Sequence, residues 1–197
     1  PRGTRLLMGN ALIGRLLLSI KERGVTLLMQ TRATELHRDP ASGAITGLTL
    51  VQGLTQGGQT KRIAVKGGVI LGTGGFNRHP KRRAEQLGPE LSPTWCPGAP
   101  GHTGTAHDLA EAVGAVYGEG GMSPAFWAPV SLRQRADGST ASFPHFVFDR
   151  AKPGTVTVDG DGWRYLNEST SYHLYGLAMQ KHRFTSSGAG KPGIPSF

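Results

Sequence analysis

The run Lys66-Gly67-Gly68-Val69-Ile70-Leu71-Gly72-Thr73-Gly74-Gly75-Phe76-Asn77 constrains this chain more than any other stretch. Val69, Ile70 and Leu71 are continuously apolar, which fits a short strand buried on both faces, as in a parallel α/β sheet. That strand empties into Gly-Thr-Gly-Gly. Glycine lacks a Cβ, so such a loop can take positive φ and bring its backbone close to another group. Ligands of open α/β sheets sit at the carboxyl ends of strands. The residues alone leave two readings equal: the edge of a cofactor site, or a tight strand-to-helix turn with no ligand.

The totals narrow the class. A chain of 197 residues has room for one large domain or two small ones. Thirty glycines and thirteen prolines against 37% hydrophobic residues describe a loop-rich α/β or α+β protein, not a helical bundle. No apolar run approaches the ~18–20 residues of a membrane span. The start, Pro1-Arg2-Gly3-Thr4-Arg5, has neither an initiator Met nor a signal-peptide layout, and reads as the interior of a longer chain. A single cysteine, Cys96, forms no internal disulfide and favours a reducing cytoplasm. The net charge of +9 raises the question of nucleic acid. Its densest run, Lys81-Arg82-Arg83, has no interleaved aromatics, so most of this charge reads as solvated surface and no nucleic-acid partner is expected.

Apolar residues recur at three- and four-residue steps from Leu12 to Ile20, predicting an amphipathic helix that Gly24 terminates. Strands are expected over Val25–Met29, Thr31–Arg38, Ala44–Val51 and Lys61–Val65, with turn chemistry at Asp39-Pro40-Ala41-Ser42-Gly43. A short helix begins near Pro80, and Gly88–Thr103 is crowded with prolines and glycines, as at a domain crossing. Thr103–Ala115 reads as a helix, Gly118–Pro129 as a loop, and Phe146–Phe148 and Thr155–Val158 as strands. Asp159-Gly160-Asp161-Gly162 is a strong hairpin signal, and a helix follows over Tyr172–Gln180.

Several motifs fail on context. Gly188-Ala189-Gly190-Lys191-Pro192-Gly193 spells G-x-G-x-x-G, but no strand precedes it and Pro192 removes an amide donor. The seven histidines are scattered without ligand spacing, so no metal site is expected, and no G-x-S-x-G elbow is present. Around Asn167, Glu168 and Tyr172 a hairpin joins a helix. Capping by the Asn and Glu and a core role for the tyrosine account for these residues more readily than a functional one.

Taken jointly, these blocks resemble the flavoprotein superfamily of fumarate reductases and 3-ketosteroid dehydrogenases. Val69-Ile70-Leu71-Gly72-Thr73-Gly74-Gly75-Phe76 is similar to its V-I-L-A-T-G-G-F segment, and Thr103–Ala115 to its T-G-D-G-I-x-M-A helix, with Thr105 and Ala106 departing from the usual Asp and Gly. Trp163-Arg164-Tyr165-Leu166-Asn167-Glu168 resembles G-R-R-F-x-N-E, with Trp163 for the first Arg and Tyr165 for Phe. Arg5–Leu12 resembles the helix preceding the family's β-meander.

The resemblance implies the returning part of a Rossmann-like FAD-binding domain (helix, β-meander, buried strand) over residues 1–97. An α+β cap over the substrate follows at residues 98–197. It implies FAD contacts at Ala33, Thr73, Gly74 and Gly75. No Arg follows Asn167-Glu168 closely, as it does in fumarate reducers, whereas Tyr172 fits the N-E-x-x-x-Y spacing of ketosteroid dehydrogenases. Tyr172 is then the implied catalytic base, and Phe126, Trp127 and Glu168 the implied substrate-binding residues. Reduction of another unsaturated acid by a fumarate-reductase-like relative is the alternative. The expected partners are a steroid-like or unsaturated-acid substrate and the remainder of a full-length chain. The family's G-x-G-x-x-G pyrophosphate cradle is absent from these residues. The isolated 197-residue chain is therefore expected to bind FAD weakly or not at all, and tight binding in a fluorescence titration would overturn that expectation.

Overall fold

The computed structural model describes residues 5–53, 57–118, 121 and 123–185. The tail carrying the G-x-G-x-x-G spelling lies outside the described residues. The chain divides into two compact units, Pro1–Ile70 and Leu71–Phe197.

In the first unit α1 spans Met8–Glu22. It ends as its sequence predicts: Gly24 takes φ 63°, its amide donates to Lys21 O, and Val25 donates to Ile20 O. No residue of α1 is buried. Val25–Met29, expected as a strand, is irregular and exposed. It has no ladder partner among the described residues, and an apolar segment without a partner gains nothing from extension.

The meander is as expected. Strands β1 (Thr31–Arg38), β2 (Ile45–Gln52) and β3 (Gln59–Ala64) pair antiparallel in that order. Leu36 faces Leu48, Leu48 faces Ile63, and Leu36 and Leu50 are buried. The β1–β2 turn is an Asx turn: Asp39 Oδ1 accepts from the amides of Ala41 and Ser42 and from the Ser42 hydroxyl. Gly47 is where the strands come closest to excluding a side chain, because a Cβ there would sit 2.7 Å from Ile63 O.

In the second unit α2 covers Pro80–Leu87 and α3 covers Thr105–Ala112. Arg82 joins them, with its guanidinium bonded to Asp108 Oδ1 and to both Glu111 oxygens. A hairpin of β4 (Val130–Gln134) and β5 (Thr140–Pro144) lies against the short 3-10 turn Pro93–Trp95. Helices α4 (Val147–Arg150) and α5 (Tyr172–Thr185) follow.

Three expectations are corrected here. Val69–Leu71 is not a buried strand: Ile70 is 98% exposed, and the segment pairs with nothing among the described residues. A strand buried on both faces needs neighbours on both edges. Phe146–Val147–Phe148 is the N-cap and first two residues of α4, because the carbonyls of Phe146 and Val147 accept from the amides of Arg150 and Ala151 and not from a neighbouring strand. Thr155–Val158 makes one bridge, Val158 to Arg164, in place of a full ladder.

Gly47 has an ordinary φ, so its requirement is purely steric. Gly47→Ala is expected to destabilise the chain by about 1–3 kcal/mol, read as a lower urea midpoint with an unchanged slope. An unchanged midpoint would show that the strands do not approach this closely.

Candidate functional site

The glycine loop is held from below. Gly74 takes φ 88°, and a Cβ on it would come within 2.6 Å of the His102 ring. Gly104 donates to Gly75 O at 3.1 Å, and Arg78 N–H donates to His102 O at 2.8 Å. Gly104 itself is left-handed, φ 78°, and packs against Phe76 and Arg82 where a Cβ would crowd both. Phe76 is buried and meets His107 and Tyr117 edge-on.

Outward, the loop is open. Gly72, Thr73 and Gly74 are exposed, and a Cβ at Gly72 would meet nothing within 4 Å. The amides of these three residues make no hydrogen bond among the described residues. Unengaged backbone N–H groups on a glycine turn suit an anionic or carbonyl-bearing ligand. The loop therefore fits the phosphate and ring edges of a nucleotide cofactor. Ala33 lies half-buried on β1 in the other unit, beside the bulge between Ala33 and Glu35.

The second cluster surrounds the first turn of α5. Ser171 caps it: its carbonyl accepts from Tyr175 N–H and its hydroxyl from Leu174 N–H. Tyr172 is 44% exposed and meets Phe146 edge-on, with ring centroids 5.7 Å apart. Trp127 packs on the same helix at Gly176, where a Cβ would overlap its own. The Trp127 amide donates to His173 Nδ1 at 3.2 Å, and its indole donates to Ser123 at 2.6 Å. Phe126, 91% exposed, stands 5.4 Å from the His173 ring. The structure thus brings Phe126, Trp127 and Tyr172 to one helix turn.

Beneath that turn lies a buried polar cluster. Glu168 is 5% exposed. Its Oε1 accepts from Thr157 N–H at 2.8 Å, and Arg164 reaches both oxygens. Arg164 first, and the Thr157 amide second, hold its pKa down to about 2. Thr157 Oγ1 lies 2.6 Å from the Tyr175 hydroxyl. With both oxygens engaged, Glu168 holds the chain between Thr157 and the helix. Asn167 makes an Asx turn to Ser169 N–H.

Sequence reasoning missed four participants: the β4–β5 hairpin, His145, Arg150 and Tyr175. The β4–β5 hairpin was legible in the alternation around Asp137-Gly138. His145 links it to α4, contacting Ser131 at 2.7 Å and Asp149 at 2.5 Å, and so anchors Phe146 beside Tyr172. Arg150 and Tyr175 carry no local signal, because their partners are distant in sequence.

The meander, the helices and the glycine loop define the class as a chain of mixed α and β structure. The family model for the FAD-binding domain matches residues 1–193, and the chain belongs to that family, with FAD as its cofactor. It is 32% identical over 177 residues to 3-oxosteroid 1-dehydrogenase of Mycolicibacterium smegmatis, covering 86% of this chain and 29% of that protein. It is 33% identical over 182 residues to 4-oxocyclohex-2-ene-1-carboxylate 5-dehydrogenase of Sinomonas cyclohexanicum, covering 88% of this chain and 28% of that one. The crystal structure of 3-ketosteroid delta1-dehydrogenase from Sterolibacterium denitrificans, in complex with 1,4-androstadiene-3,17-dione, matches with a TM-score of 0.77 and 29% identity. That match covers 96% of this chain and 32% of the other. The chain therefore spans less than a third of the length of these relatives.

Glu168 also makes a pH signature. Its folded pKa lies below the ordinary glutamate value of 4.5, so its contribution is complete above that value and is lost as pH falls toward about 2. The gap in thermal midpoint between the native chain and Glu168→Gln is expected to be flat above about pH 5.5 and to close on further acidification. A gap independent of pH would show that the carboxylate is not held this way.

Proposed function

We propose that the full-length protein is an FAD-dependent oxidoreductase acting on a CH–CH bond of a cyclic ketone of the 3-ketosteroid type. The observation that carries this reading is the convergence of Tyr172, Phe126 and Trp127 on the first turn of α5. In this reading the Tyr172 oxygen, ionised to the phenolate, accepts the proton from the carbon beside the ring carbonyl and becomes the hydroxyl. FAD, when bound, supplies the hydride acceptor for the neighbouring carbon. Phe126, Trp127 and Phe146 present apolar faces suited to a fused ring system. Glu168 serves this site by holding the backbone under Tyr172.

Residues 1–97 are assigned to the FAD-binding part and 98–197 to the cap over the substrate, with FAD contacts at Ala33, Thr73, Gly74 and Gly75. Among the described residues no helix is long and apolar enough to cross a membrane. The lone, buried Cys96 supports a cytoplasmic setting.

The two arginines flanking this block in sequence are already engaged, Arg164 by Glu168 and Arg150 by main-chain carbonyls. A dicarboxylate needs such cations free, so the fumarate-type reading has less support. The similarity to the Sinomonas enzyme favours a second reading, a smaller cyclic ketone carrying one carboxylate.

The test uses purified full-length holoenzyme, offered a 3-ketosteroid or 4-oxocyclohexanecarboxylate with an artificial electron acceptor, and fumarate with a reduced artificial electron donor. Turnover of the ketosteroid is expected, and turnover of the small keto acid alone would select the second reading. Reduction of fumarate with both ketones untouched would overturn both. Tyr172→Phe is expected to lower kcat by about 10²-fold or more with FAD retained, and full activity would remove Tyr172 from the reaction.

A further inference from the structure

We infer that Arg150 is a positioning residue for the reaction: it fixes the turn from which Tyr172 projects. This inference rests on the reading of Tyr172 as the proton-abstracting group.

Arg150 ends α4 and is 5% exposed. One terminal nitrogen donates to Glu168 O and the other to Thr170 O, the latter at 2.5 Å. The guanidinium carbon stands 4.8 Å from the centre of the Tyr175 ring, over its face. Its Nε is buried with no hydrogen-bond partner among the described residues. A buried cation is ordinarily matched by a carboxylate. Arg150 instead meets two carbonyl dipoles and an aromatic face, and Glu168's carboxylate is taken by Arg164 and Thr157.

The choice of carbonyls gives the role. Glu168 and Thr170 lie four and two residues before Tyr172, on the non-helical segment that enters α5. Holding both carbonyls fixes the orientation of those peptide planes, and with them the direction in which the helix starts. The same short helix reaches Tyr172 a second way: Phe146, the residue preceding α4, packs edge-on against its ring. Asp149, beside Arg150, pins His145 next to Phe146. One four-residue helix thus sets both the backbone behind the phenol and the ring beside it. A planar fork spans two carbonyls at once; an ammonium reaches one in a fixed geometry. A base displaced by about 1 Å loses on the order of 10²-fold in rate, while substrate affinity, set by the aromatic faces, is little changed.

The experiment compares full-length, FAD-loaded Arg150→Lys and Tyr172→Phe with the native enzyme, on the ketone it turns over fastest. Arg150→Lys is expected to lower kcat by about 10-fold or more with KM within about 3-fold. FAD occupancy should be unchanged. The kinetic isotope effect for substrate deuterated beside the carbonyl should rise, because proton removal becomes slower relative to other steps. Arg150→Ala should regain rate when guanidinium is added to the assay. Native kcat and isotope effect in Arg150→Lys, with Tyr172→Phe inactive, would overturn the role of Arg150 and leave that of Tyr172 standing. Full activity in Tyr172→Phe would instead overturn the reading on which the inference rests. Loss of FAD or of the fold in Arg150→Lys would mark the residue as structural and also overturn the inference.

Discussion

The second unit depends on the placement of two buried opposite charges that do not satisfy each other. Glu168 is held by Arg164 and the Thr157 amide, and Arg150 by the carbonyls of Glu168 and Thr170. A buried ion lacking its hydrogen bonds costs several kcal/mol, so any conformation that moves this turn must break several of these contacts together. Buried apolar residues of this unit include Phe76, Leu91, Leu109 and Tyr175. Directional bonds fix orientation as well as proximity.

The glycine loop follows the same logic with different parts. Its floor is fixed by the His102 ring under Gly74 and by the Gly104 amide on Gly75 O. Arg82 locks the helices on which that floor rests, bonding Asp108 and Glu111 of α3 from α2. The side facing outward keeps its amides unengaged. A loop rigid on one face and unsatisfied on the other is pre-organised for a ligand, since the ordering cost is met within the fold.

What the sequence made legible, and what it did not, divides along the same line. The meander, α1, α2, α3 and α5 were readable because local periodicity, Gly24 and Pro80 specify them within a few residues. Val69–Leu71 and Val25–Met29 were misread because an apolar run records a preference for burial, and burial needs a partner that the run cannot name. Phe146–Phe148 was expected as a strand, yet the carbonyls of Phe146 and Val147 are taken by the amides of Arg150 and Ala151 in a helical turn. At the site, Tyr172, Phe126 and Trp127 were named from the resemblance; Tyr172 meets Phe146, while Phe126 and Trp127 meet the next residue, His173. The carboxylate of Glu168 was expected toward a substrate, whereas its bonds run to Thr157 and Arg164. Arg150, Thr157 and Tyr175 stayed invisible, since their function exists only as a set of tertiary contacts.

The charge balance shows why composition alone misleads about ligands. A net charge of +9 invites an anionic partner. The arginines of the second unit are largely committed to the fold. Arg78 donates to the carbonyls of Gly98 and Pro93, and Arg83 to those of Leu91 and Asn77. Arg82 and Arg164 are bound to carboxylates, and Arg150 to carbonyls. A guanidinium that already spans two acceptors has no fork left for a ligand carboxylate. What the turn at Tyr172 presents to solvent is aromatic: a phenol, the exposed Phe126 and the edge-on Phe146. The charge that composition counts is therefore largely committed inside the fold, and the surface at this turn is aromatic rather than cationic.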